Sequence, residues 1–409
     1  MTSPEWLESW SADDGAARVR TLFREVFGSD ADLDGVWSAP GRVNLIGEHT
    51  DYNAGLALPV ALPHRTYVAL RGRPDDVVRL SSAQARGETW ETRLADVAPG
   101  DTKGWGAYVA GVAWALRAAG HDVGGFDAVV DSCVPFGAGL SSSAALECAV
   151  AVALDAVHGL GLAADDAGRA DLAAACVRAE NEIAGAPTGG MDQAASLRCS
   201  TGHALLLDCR PGLSALESAD AVPFDLAGAG LTLLVVDTRA EHALVDGQYA
   251  ARRASCERAA DTLGVGSLRE ISPGDLEEQL TRLAEADDGD VLRRRVRHVV
   301  TEIARTEDFA ALVRDGRVDE VGPLMNASHV SLRDDYEVSA RELDLVVDTA
   351  LAAGALGARM TGGGFGGSAI ALVRADQVDT VAAAVHEAFV AAGLTAPGFL
   401  LAPPSSPAH

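Results

Sequence analysis

The sequence predicts an α+β protein built from two lobes. Segments with helical periodicity and segments with strand character are interleaved, yet they do not follow the strict alternation of a parallel α/β sheet. The chain has 409 residues, which is enough for two or three packed units at about 150 residues each. Apolar residues make up 48% and charged residues 22%, and such globular averages exclude disorder and a coiled coil. We therefore expect two domains, 1–212 and 213–409.

The first half begins with an amphipathic helix. Apolar residues recur at helical spacing from Val19 to Phe27, and Gly28 follows as a helix-ending residue. Apolar and β-branched runs then predict strands, and longer periodic stretches predict helices. The predicted strands are 66–71, 77–81, 89–94 and 126–133, and the predicted helices are 105–119, 142–158 and 171–183.

The second half, after the turn-rich residues 210–212, contains more helix. We predict a strand at 231–237, mostly helix from 245 to about 353, strands at 357–361 and 368–373, a helix at 378–391 and a strand at 398–401. The arginine-rich stretch 293–297 is expected to be a solvated helix face. Residues 402–409 are expected to form an ordered edge or a frayed tail.

The charge balance argues against a nucleic-acid-binding protein. With 33 basic and 59 acidic side chains the formal net charge is −26, and a negative surface repels a phosphate backbone. Lys103 is the only lysine in the sequence. This excludes three lysine-dependent sites, namely the P-loop, the S-x-x-K serine acylases and the V-A-I-K strand of protein kinases.

The sequence also favours a cytoplasmic location. The six cysteines include no C-x-x-C pair, so we expect reduced thiols rather than zinc or disulfide sites. The first 15 residues carry four acids and no basic or strongly apolar segment, so no signal peptide is predicted. The longest stretch of low charge, 140–164, contains Glu147, Asp155 and His158. We therefore expect a buried helix there rather than a membrane span.

Glycines and serines lie between a predicted strand and a predicted helix. Residues 134–146 read V-P-F-G-A-G-L-S-S-S-A-A-L. A helix N-terminus presents unpaired N–H groups and a partial positive charge, so this junction can bind phosphates without lysine. Gly137 and Gly139 allow a close backbone approach, and the three serines offer hydroxyls to phosphate or Mg²⁺. An ordinary serine-capped helix is the alternative interpretation.

A second glycine-rich segment, 361–368, reads T-G-G-G-F-G-G-S. It matches G-x-G-x-x-G in letters, but a predicted strand follows it instead of a helix, so a dinucleotide-binding loop is excluded. Two interpretations stay open. The segment is either a flexible hairpin connection or a loop that packs closely against the phosphate-binding helix end.

A third segment, 39–55, concentrates polar side chains between glycines. Arg42, Glu48, His49 and Asp51 lie among apolar residues, which is costly unless they face a cleft. Two carboxylates and an imidazole suit a ligand rich in hydroxyl groups, such as a sugar. No second His or Cys lies at ligand spacing from His49, which argues against a metal there. A solvated turn is the alternative.

A fourth segment, 186–193, is a loop that follows a predicted helix. Asp192 in this loop is a candidate base, and Glu180 in the helix is a candidate Mg²⁺ ligand. By composition alone each residue would more often be a surface acid or a helix cap.

Taken together, the four segments resemble galactokinases. Residues 40–53, P-G-R-V-N-L-I-G-E-H-T-D-Y-N, are similar to the galactokinase signature, and G-A-G-L-S-S-S-A at 137–144 resembles the phosphate loop of the wider galactokinase, homoserine, mevalonate and phosphomevalonate (GHMP) kinase superfamily. Residues 360–368 resemble the third motif of that superfamily. The resemblance covers most of the chain. It implies an N-terminal domain like ribosomal protein S5, a ferredoxin-like C-terminal domain and a site between them.

The resemblance also implies residue roles. Asp192 would be the catalytic base, and Arg42 would stabilise the transition state. The sugar would be bound by Glu48, His49, Thr50, Asp51, Gly189 and Tyr249. ATP would be bound by Gly137, Ala138, Gly139, Leu140, Ser141, Ser142 and Ser143, with Trp105 and Tyr108 near adenine. Ser143 and Glu180 would hold Mg²⁺. Ala194 and Ala195 depart from the family, where a Phe often follows the motif, and we expect this to alter loop packing rather than chemistry.

The implied activity is transfer of the ATP γ-phosphoryl group to the anomeric hydroxyl of D-galactose. Phosphoryl transfer depends mainly on positioning and charge neutralisation, which backbone amides, Mg²⁺ and an arginine can provide without a P-loop lysine. Two alternatives stay open: a related kinase for N-acetylgalactosamine or arabinose, and a non-catalytic galactose and ATP sensor. The presence of Ser143, Glu180 and Asp192 favours a catalyst. We expect small-molecule partners, no nucleic acid and no membrane, while the oligomeric state stays open, a monomer included.

Overall fold

The computed structural model describes residues 3–29, 32–186, 188–240 and 245–409. Its strands are β1 (Glu5–Trp6), β2 (Gly35–Asn44), β3 (Leu56–Ala57), β4 (Pro59–Gly72), β5 (Val77–Ser82), β6 (Thr89–Arg93), β7 (Phe126–Ser132), β8 (His203–Asp208), β9 (Ala219–Pro223), β10 (Leu231–Asp237), β11 (Gly357–Thr361), β12 (Ser368–Arg374) and β13 (Gly398–Leu401). Its α-helices are α1 (Ala12–Phe27), α2 (Gly106–Ala118), α3 (Ser142–His158), α4 (Asp166–Arg178), α5 (Met191–Arg198), α6 (Val245–Leu263), α7 (Leu276–Arg282), α8 (Gly289–Arg314), α9 (Gly322–Asp334), α10 (Arg341–Ala352) and α11 (Val378–Ala391). The predicted α+β class is confirmed.

The first half of the chain forms a mixed five-stranded sheet in the order β2-β4-β7-β5-β6. Strands β5 and β7 are parallel, and the other neighbours are antiparallel. Helices α2, α3 and α4 share one apolar core with this sheet, while α1 packs Val19 and Phe23 against Tyr67 and Val129 in a separate cluster. The arrangement places the end of β7 and the start of α3 beside the edge strand β2. The phosphate loop lies at that junction.

The second half contains a sheet in the order β1-β13-β10-β12-β11. Leaving β1 aside, the four strands follow the order 4-1-3-2 along the chain, with helices α6 to α10 between β10 and β11 and α11 between β12 and β13. A β-α-β-β-α-β unit with this order is ferredoxin-like. The predicted C-terminal architecture is therefore confirmed.

The two ends of the described chain cross between the halves. Strand β1 pairs in parallel with β13, so the first described residues complete the sheet of the second half. Residues 402–409 run along the first half, where the N–H of Ala408 donates to the Ser196 carbonyl at 2.8 Å and Arg65 donates to the Pro407 carbonyl at 2.8 Å. The ordered alternative for 402–409 is thus confirmed. A domain boundary near residue 212 stays a prediction.

Helix α3 matches the low-charge stretch that was predicted to be a buried helix. Its bounds agree with the predicted 142–158, and Ala145, Cys148 and Val152 are buried in the core. Within the described ranges, no helix is long and apolar enough to cross a membrane. The six cysteines are free; four are buried as expected, whereas Cys133 and Cys209 are half-buried.

Strand β2 was not predicted. Proline and glycine interrupt its pattern, because Pro40 has no N–H to donate and Gly41 has a low strand propensity. The structure accommodates both residues, since β2 lies at the edge of its sheet and its register shifts between Pro40 and Arg42. The predicted helix at 171–183 was wrong in its start. Asp165 caps the helix from Asp166 onward, and the π-helical turn Ala179–Ala184 ends it.

Candidate active site

A cavity of about 150 Å³ collects most of the predicted sugar-site and catalytic residues. It is lined by Arg42, Glu48, His49, Asp51, Glu180, Thr188, Met191, Asp192, Tyr249, Gly362 and Gly363. These residues come from β2, the loop after it, the π-turn, the start of α5, α6 and the glycine-rich loop 361–368. A larger groove of about 660 Å³ between α1 and the β5–β6 hairpin contains none of the predicted site residues. The candidate site is therefore the smaller cavity.

Asp192 is held by two groups from different elements. The Nε and Nη2 atoms of Arg42 each lie 2.7 Å from its Oδ1, and the Ser141 hydroxyl donates to its Oδ2 at 2.6 Å. Arg42 also donates from Nη1 to the Gly139 carbonyl at 2.7 Å. The guanidinium therefore links the carboxylate to the phosphate loop. This pairing fixes the Asp192 side chain in one orientation.

Glu48 is buried and accepts hydrogen bonds from the glycine-rich loop 361–368. Its Oε1 accepts from the Gly362 N–H at 2.6 Å and from the Thr361 hydroxyl at 3.1 Å, while its Oε2 accepts from the Asn44 amide. Arg359 forms an ion pair with it at 3.7 Å. Burial raises the pKa of Glu48, and Arg359 opposes this effect. The Glu48 carboxylate therefore connects residues 39–55 to the second half of the chain.

Asp51 lines the cavity, and Gly189 lies outside the lining but packs directly against the Asp51 carboxylate. A Cβ atom on Gly189 would lie 1.9 Å from the Asp51 Oδ2, so any larger residue would displace this carboxylate or the loop that carries Gly189. Burial, followed by the charge of Asp192, raises the pKa of Asp51 to about 6. Tyr249 completes this side of the site, with its ring centroid 5.6 Å from that of His49. The wall presents acceptors and aromatic surface to a small polar ligand.

Thr50 lies outside the cavity lining. Its buried hydroxyl donates to the carbonyls of Gly47 at 2.9 Å and Leu56 at 2.6 Å. Gly47 lies in the loop between β2 and β3 and Leu56 is the first residue of β3, so the hydroxyl is already used to hold this loop. The predicted sugar contact of Thr50 is not supported by this geometry, which gives it the role of holding the loop that carries His49 and Asp51.

The residues before α3 do not have the geometry of an ordinary serine-capped helix. Gly137, Gly139 and Ser141 have φ angles of 69°, 70° and 59°, and Ser141 makes no capping hydrogen bond to α3. The serine-cap alternative is therefore wrong for Ser141, because its hydroxyl binds Asp192 instead. The side chains of Ala138 and Leu140 are buried. Only their backbone groups are available to phosphate.

The glycine-rich loop 361–368 connects the antiparallel strands β11 and β12 and packs on the phosphate loop. A Cβ on Gly362 would lie 2.9 Å from the Gly139 carbonyl oxygen, and the Ser368 hydroxyl donates to the Ala138 carbonyl at 2.7 Å. The close-packing interpretation of the segment is thus confirmed. The segment connects β11 to β12 as a hairpin, and it packs against the phosphate loop.

A second cavity, of about 290 Å³, lies beside the start of α3. Four residues that were predicted to bind the nucleotide line it, namely Ser142, Ser143, Trp105 and Tyr108, together with Phe136, Leu146, Gln84, Ser82, Ala85, Val130, Ser132 and Thr66. Aromatic and aliphatic walls with a few polar groups suit a flat heterocycle. None of these residues lines the cavity that contains Asp192.

Glu180 and Ser143 form a pair suited to a hard cation. Ser143 hydrogen-bonds to Glu180, whose pKa is raised to about 7 by burial and by the charge of Asp192. Among the described residues, no cluster of three or more His, Cys, Asp or Glu side chains forms a complete metal cage. Mg²⁺ is commonly bound by one or two protein oxygens plus substrate phosphates and water. The pair therefore fits an Mg²⁺ that arrives with a nucleotide.

Sequence reasoning missed several supporting residues. Gln193 donates from Nε2 to Glu180, and also to the buried Glu147 at 3.1 Å. Arg359 is fully buried between Glu48 and Glu302. The sequence did contain a signal for two of them, because Glu147 is an acid in an apolar helix and Arg359 is an arginine in an apolar strand. Such charged groups are rarely buried without a partner.

Comparison with protein families identifies the same segments. Residues 21–72 match the galactokinase galactose-binding signature. Residues 107–200 match the N-terminal domain of GHMP kinases, and residues 309–391 match the C-terminal domain of GHMP kinases. The first match contains Arg42 to Asp51, and the second contains the phosphate loop and Asp192.

Curated relatives are similar over nearly the whole chain. The galactokinase of Streptomyces coelicolor is 52% identical over 394 residues, which cover 96% of this chain and 98% of that protein. The galactokinase of Homo sapiens is 44% identical over 367 residues, covering 88% of each chain. Both sequence identities are far higher than those of proteins that share only a fold.

Solved structures give the same result. The Lactococcus lactis galactokinase, solved in complex with galactose, superimposes with a TM-score of 0.87 at 33% identity, covering 96% of this chain and 98% of that one. The Methanococcus jannaschii mevalonate kinase, at 16% identity and a TM-score of 0.59, shares the fold. With the cavity, the phosphate loop and the sequence relatives in agreement, this chain belongs to the galactokinase family of GHMP kinases.

Proposed function

We propose that this chain transfers the γ-phosphoryl group of ATP to the anomeric hydroxyl of D-galactose, giving galactose 1-phosphate and ADP. Membership of the family supports the reaction class, and the relatives named above support the sugar. The proposal includes the roles of individual residues, the use of Mg²⁺ and a cytoplasmic location.

The observation that carries the proposal is the position of Asp192. Its carboxylate faces a sugar-sized cavity, and Arg42 bridges it to the Gly139 carbonyl of the phosphate loop. A hydroxyl bound next to Asp192 would therefore lie between a base and the loop that holds the phosphates. Phosphoryl transfer depends on such positioning more than on covalent chemistry by the protein.

In the proposed step, the anomeric oxygen forms a bond to the γ-phosphorus while the bond between that phosphorus and the β,γ-bridging oxygen breaks. Asp192 orients the hydroxyl and accepts its proton, and the electron pair of the broken bond stays on ADP. Arg42 would offset the negative charge of the transferring group. The proton on Asp192 leaves to solvent after the product dissociates.

Backbone N–H groups from Gly137 to Ser143 would bind the phosphates, and Trp105 and Tyr108 would contact adenine. Ser143 and Glu180 would hold Mg²⁺, which would supply charge neutralisation to the phosphates. Glu48, His49, Asp51, Gly189 and Tyr249 would bind the sugar. For Thr50 we propose a positioning role, because loop carbonyls occupy its hydroxyl.

An ADP-release assay with a panel of sugars tests the proposal. We expect galactose to be phosphorylated at least 10-fold more efficiently than glucose, N-acetylgalactosamine or L-arabinose, since a buried site built for one hydroxyl pattern leaves polar groups unpaired with another. Equal rates with galactose and glucose would refute the sugar assignment. Galactose binding without ADP release would instead identify a non-catalytic sensor.

A further inference from the structure

Helix α8 presents a stripe of polar side chains to the protein interior. Arg295, His298 and Glu302 are all buried, and their spacing of three and four residues puts them on one face of the helix. The expected solvated helix face at 293–297 is therefore wrong for Arg295, which forms a 2.7 Å ion pair with Glu337. Buried polar groups require partners. For His298 and Glu302, part of that partnership comes from the loop between β2 and β3, residues 45–55, which we call the sugar loop.

His298 and Glu302 bind the backbone of the sugar loop at two adjacent residues. The Nε2 atom of His298 lies 3.1 Å from the carbonyl oxygen of Glu48. A carbonyl oxygen can only accept, so Nε2 carries the proton and donates it. The Oε1 atom of Glu302 accepts from the N–H of Gly47 at 3.1 Å. The backbone atoms thus fix the direction of both hydrogen bonds.

The His298 ring has little freedom to turn away from this contact. Its Nδ1 lies 3.0 Å from the Ser331 hydroxyl, and its ring packs on that of Tyr336, with centroids 4.4 Å apart. Burial lowers the pKa of His298 to about 4, so the ring is neutral near pH 7. A neutral imidazole has a single N–H. The Glu48 carbonyl accepts it.

Glu302 is an equally well-fixed acceptor. The Ser328 hydroxyl donates to its Oε1 at 2.6 Å, and Arg305 donates to its Oε2 at 2.8 Å. Burial opposes ionisation of Glu302, but the charges of Arg305, His298 and Arg359 outweigh burial and lower the pKa to about 2. The N–H of Gly47 therefore donates to an ionised carboxylate, which makes a stronger hydrogen bond than a neutral oxygen does.

The sugar loop has a backbone that needs such support. Gly47 and His49 have φ angles of 91° and 61°. A left-handed conformation is unfavourable for a residue with a side chain, and His49 keeps it only if its neighbours enforce it. Glu48, His49 and Asp51 all line the cavity. The two residues that α8 binds therefore lie immediately before or within the group that faces the ligand.

We propose that His298 is a positioning residue for the sugar: its hydrogen bond to the Glu48 carbonyl, together with that of Glu302 to Gly47, keeps the sugar loop in the conformation that binds galactose. The inference rests on the proposed function, because it takes galactose as the ligand of the cavity. Without the His298 donor, a buried carbonyl loses its partner and the loop occupies other conformations for part of the time. Galactose then binds only the competent fraction, so its apparent Kd rises as that fraction falls.

The first test compares His298→Asn with His298→Gln. A glutamine amide reaches about as far as Nε2 and can donate to the Glu48 carbonyl, whereas an asparagine amide reaches only about as far as Nδ1. For His298→Asn we expect galactose Kd and KM to rise about 10-fold. The kcat and the KM for ATP should stay within twofold of wild type, because bound sugar restores the loop.

His298→Gln should bring galactose Kd and KM back to within threefold of wild type. A His298→Asn variant that binds galactose as tightly as wild type would overturn the proposal. So would a His298→Gln variant that binds galactose as weakly as His298→Asn, since a donor at this position would then be irrelevant.

His64 offers a matched control. It is a buried histidine whose Nε2 lies 2.8 Å from the Leu7 carbonyl oxygen, and it does not line the cavity. His64→Asn removes the same kind of hydrogen bond and should leave galactose Kd within twofold of wild type. A loss of affinity equal to that of His298→Asn would attribute the effect to general loosening and overturn the proposal.

Hydrogen exchange tests the sugar loop in the absence of sugar. In ligand-free His298→Asn, the backbone amides of residues 45–55 should exchange about 10-fold faster than in wild type, because the loop opens more often. The amides of α11 should exchange at the same rate in both proteins, and saturating galactose should remove the difference in the loop.

The same measurements separate the two proposals. Wild-type protein that neither binds nor phosphorylates galactose would refute the proposed function and the inference that rests on it. Normal wild-type activity, with unchanged loop exchange in His298→Asn, would refute the positioning role alone.

Discussion

Ser141 donates its hydroxyl to Asp192 at 2.6 Å, although its place at the start of α3 is that of a helix cap. The two residues are 51 positions apart along the chain. Its left-handed backbone, with φ of 59°, turns the side chain away from the helix and toward the carboxylate. The phosphate loop and the candidate base are therefore one hydrogen-bonded unit, together with Arg42.

The first prediction concerns Asp192. Asp192→Asn removes the base and the charge that Arg42 binds, so kcat should fall by about 10² to 10⁴ while ATP binding survives. Steady-state kinetics and nucleotide titration measure the two quantities. Asp166→Asn is the control, because Asp166 pairs with Arg198 at 2.8 Å at the start of α4, outside the cavity lining. Near-normal turnover of Asp192→Asn would eliminate the assigned role.

The second prediction concerns Ser141. Ser141→Ala leaves Asp192 with Arg42 alone, and kcat should fall about 3- to 10-fold because the carboxylate loses one of its two fixed contacts. Ser272→Ala removes a serine-to-aspartate bond of the same 2.6 Å length at the exposed Asp275 and should leave kcat unchanged. Equal kcat values in the two variants would show that this contact does not matter.

The third prediction concerns the metal. Glu180→Gln should raise the Mg²⁺ concentration for half-maximal rate about 10-fold and weaken Mn²⁺ binding in the presence of a non-hydrolysable ATP analogue, because a neutral amide is a poorer ligand. Galactose Kd should change less than twofold. Glu182→Gln, in the same turn but paired with Arg178 at the surface, is the control. Identical Mn²⁺ affinities in both variants would contradict the role.

The fourth prediction concerns Gly189. Gly189→Ala places a methyl group where the Asp51 carboxylate lies, 1.9 Å from its Oδ2, so one of the two must move. We expect the galactose KM to rise at least 10-fold, since displacement of a positioned group by about 1 Å can be that costly. Gly274→Ala has its nearest atom at 3.6 Å and should behave like wild type. Unaltered galactose kinetics in Gly189→Ala would remove Asp51 from the sugar site.

The fifth prediction concerns pH and stability. The folded pKa of Asp51, about 6, exceeds its ordinary value of 3.8, so the folded protein binds this proton more tightly than the unfolded chain. The contribution of Asp51 to the free energy of unfolding is therefore greatest below about pH 4 and falls as the pH rises toward 6. Asp51→Asn should stabilise the ligand-free protein at pH 8 by about 1 to 3 kcal/mol.

Urea unfolding at pH 8 and at pH 4 measures the effect of Asp51→Asn, and the gain should disappear at the lower pH. Asp13→Asn, in the first turn of α1, is an exposed control. A variant that is equally stable to wild type at both pH values would contradict the shifted pKa. The variant should also lose galactose affinity, because its amide is a weaker acceptor than the carboxylate.

Local patterns predicted much of the fold. The bounds of α3, β10, α11 and β13 follow from the sequence, because each element has an uninterrupted apolar pattern between clear ends. Strand β2 was missed because Pro40 and Gly41 interrupt its pattern, and its edge position that tolerates them is a property of the whole sheet. The dense polar segments were recognised because charges among glycines and apolar residues are costly without a cleft.

The supporting layer of the site could not be predicted in this way. Glu48 is bound by Thr361, Gly362 and Arg359, which lie more than 300 positions later. Tyr336 reaches His49 from the loop after α9. Such contacts depend on how two halves pack, and no local periodicity encodes them. For Thr50 the sequence motif was misleading. This residue belongs to the motif at 40–53, yet its hydroxyl holds the loop after β2 instead of facing the cavity.

The crossed ends of the chain affect how the molecule could be divided. A cut in the exposed turn 210–212 would give one fragment that contains β1 but not its partner β13, and another whose residues 402–409 have lost the surface that binds them. Neither fragment would be a complete folding unit, and each would carry an edge that fits the other. Such a pair has the geometry of a split protein that regains its cleft only on reassembly.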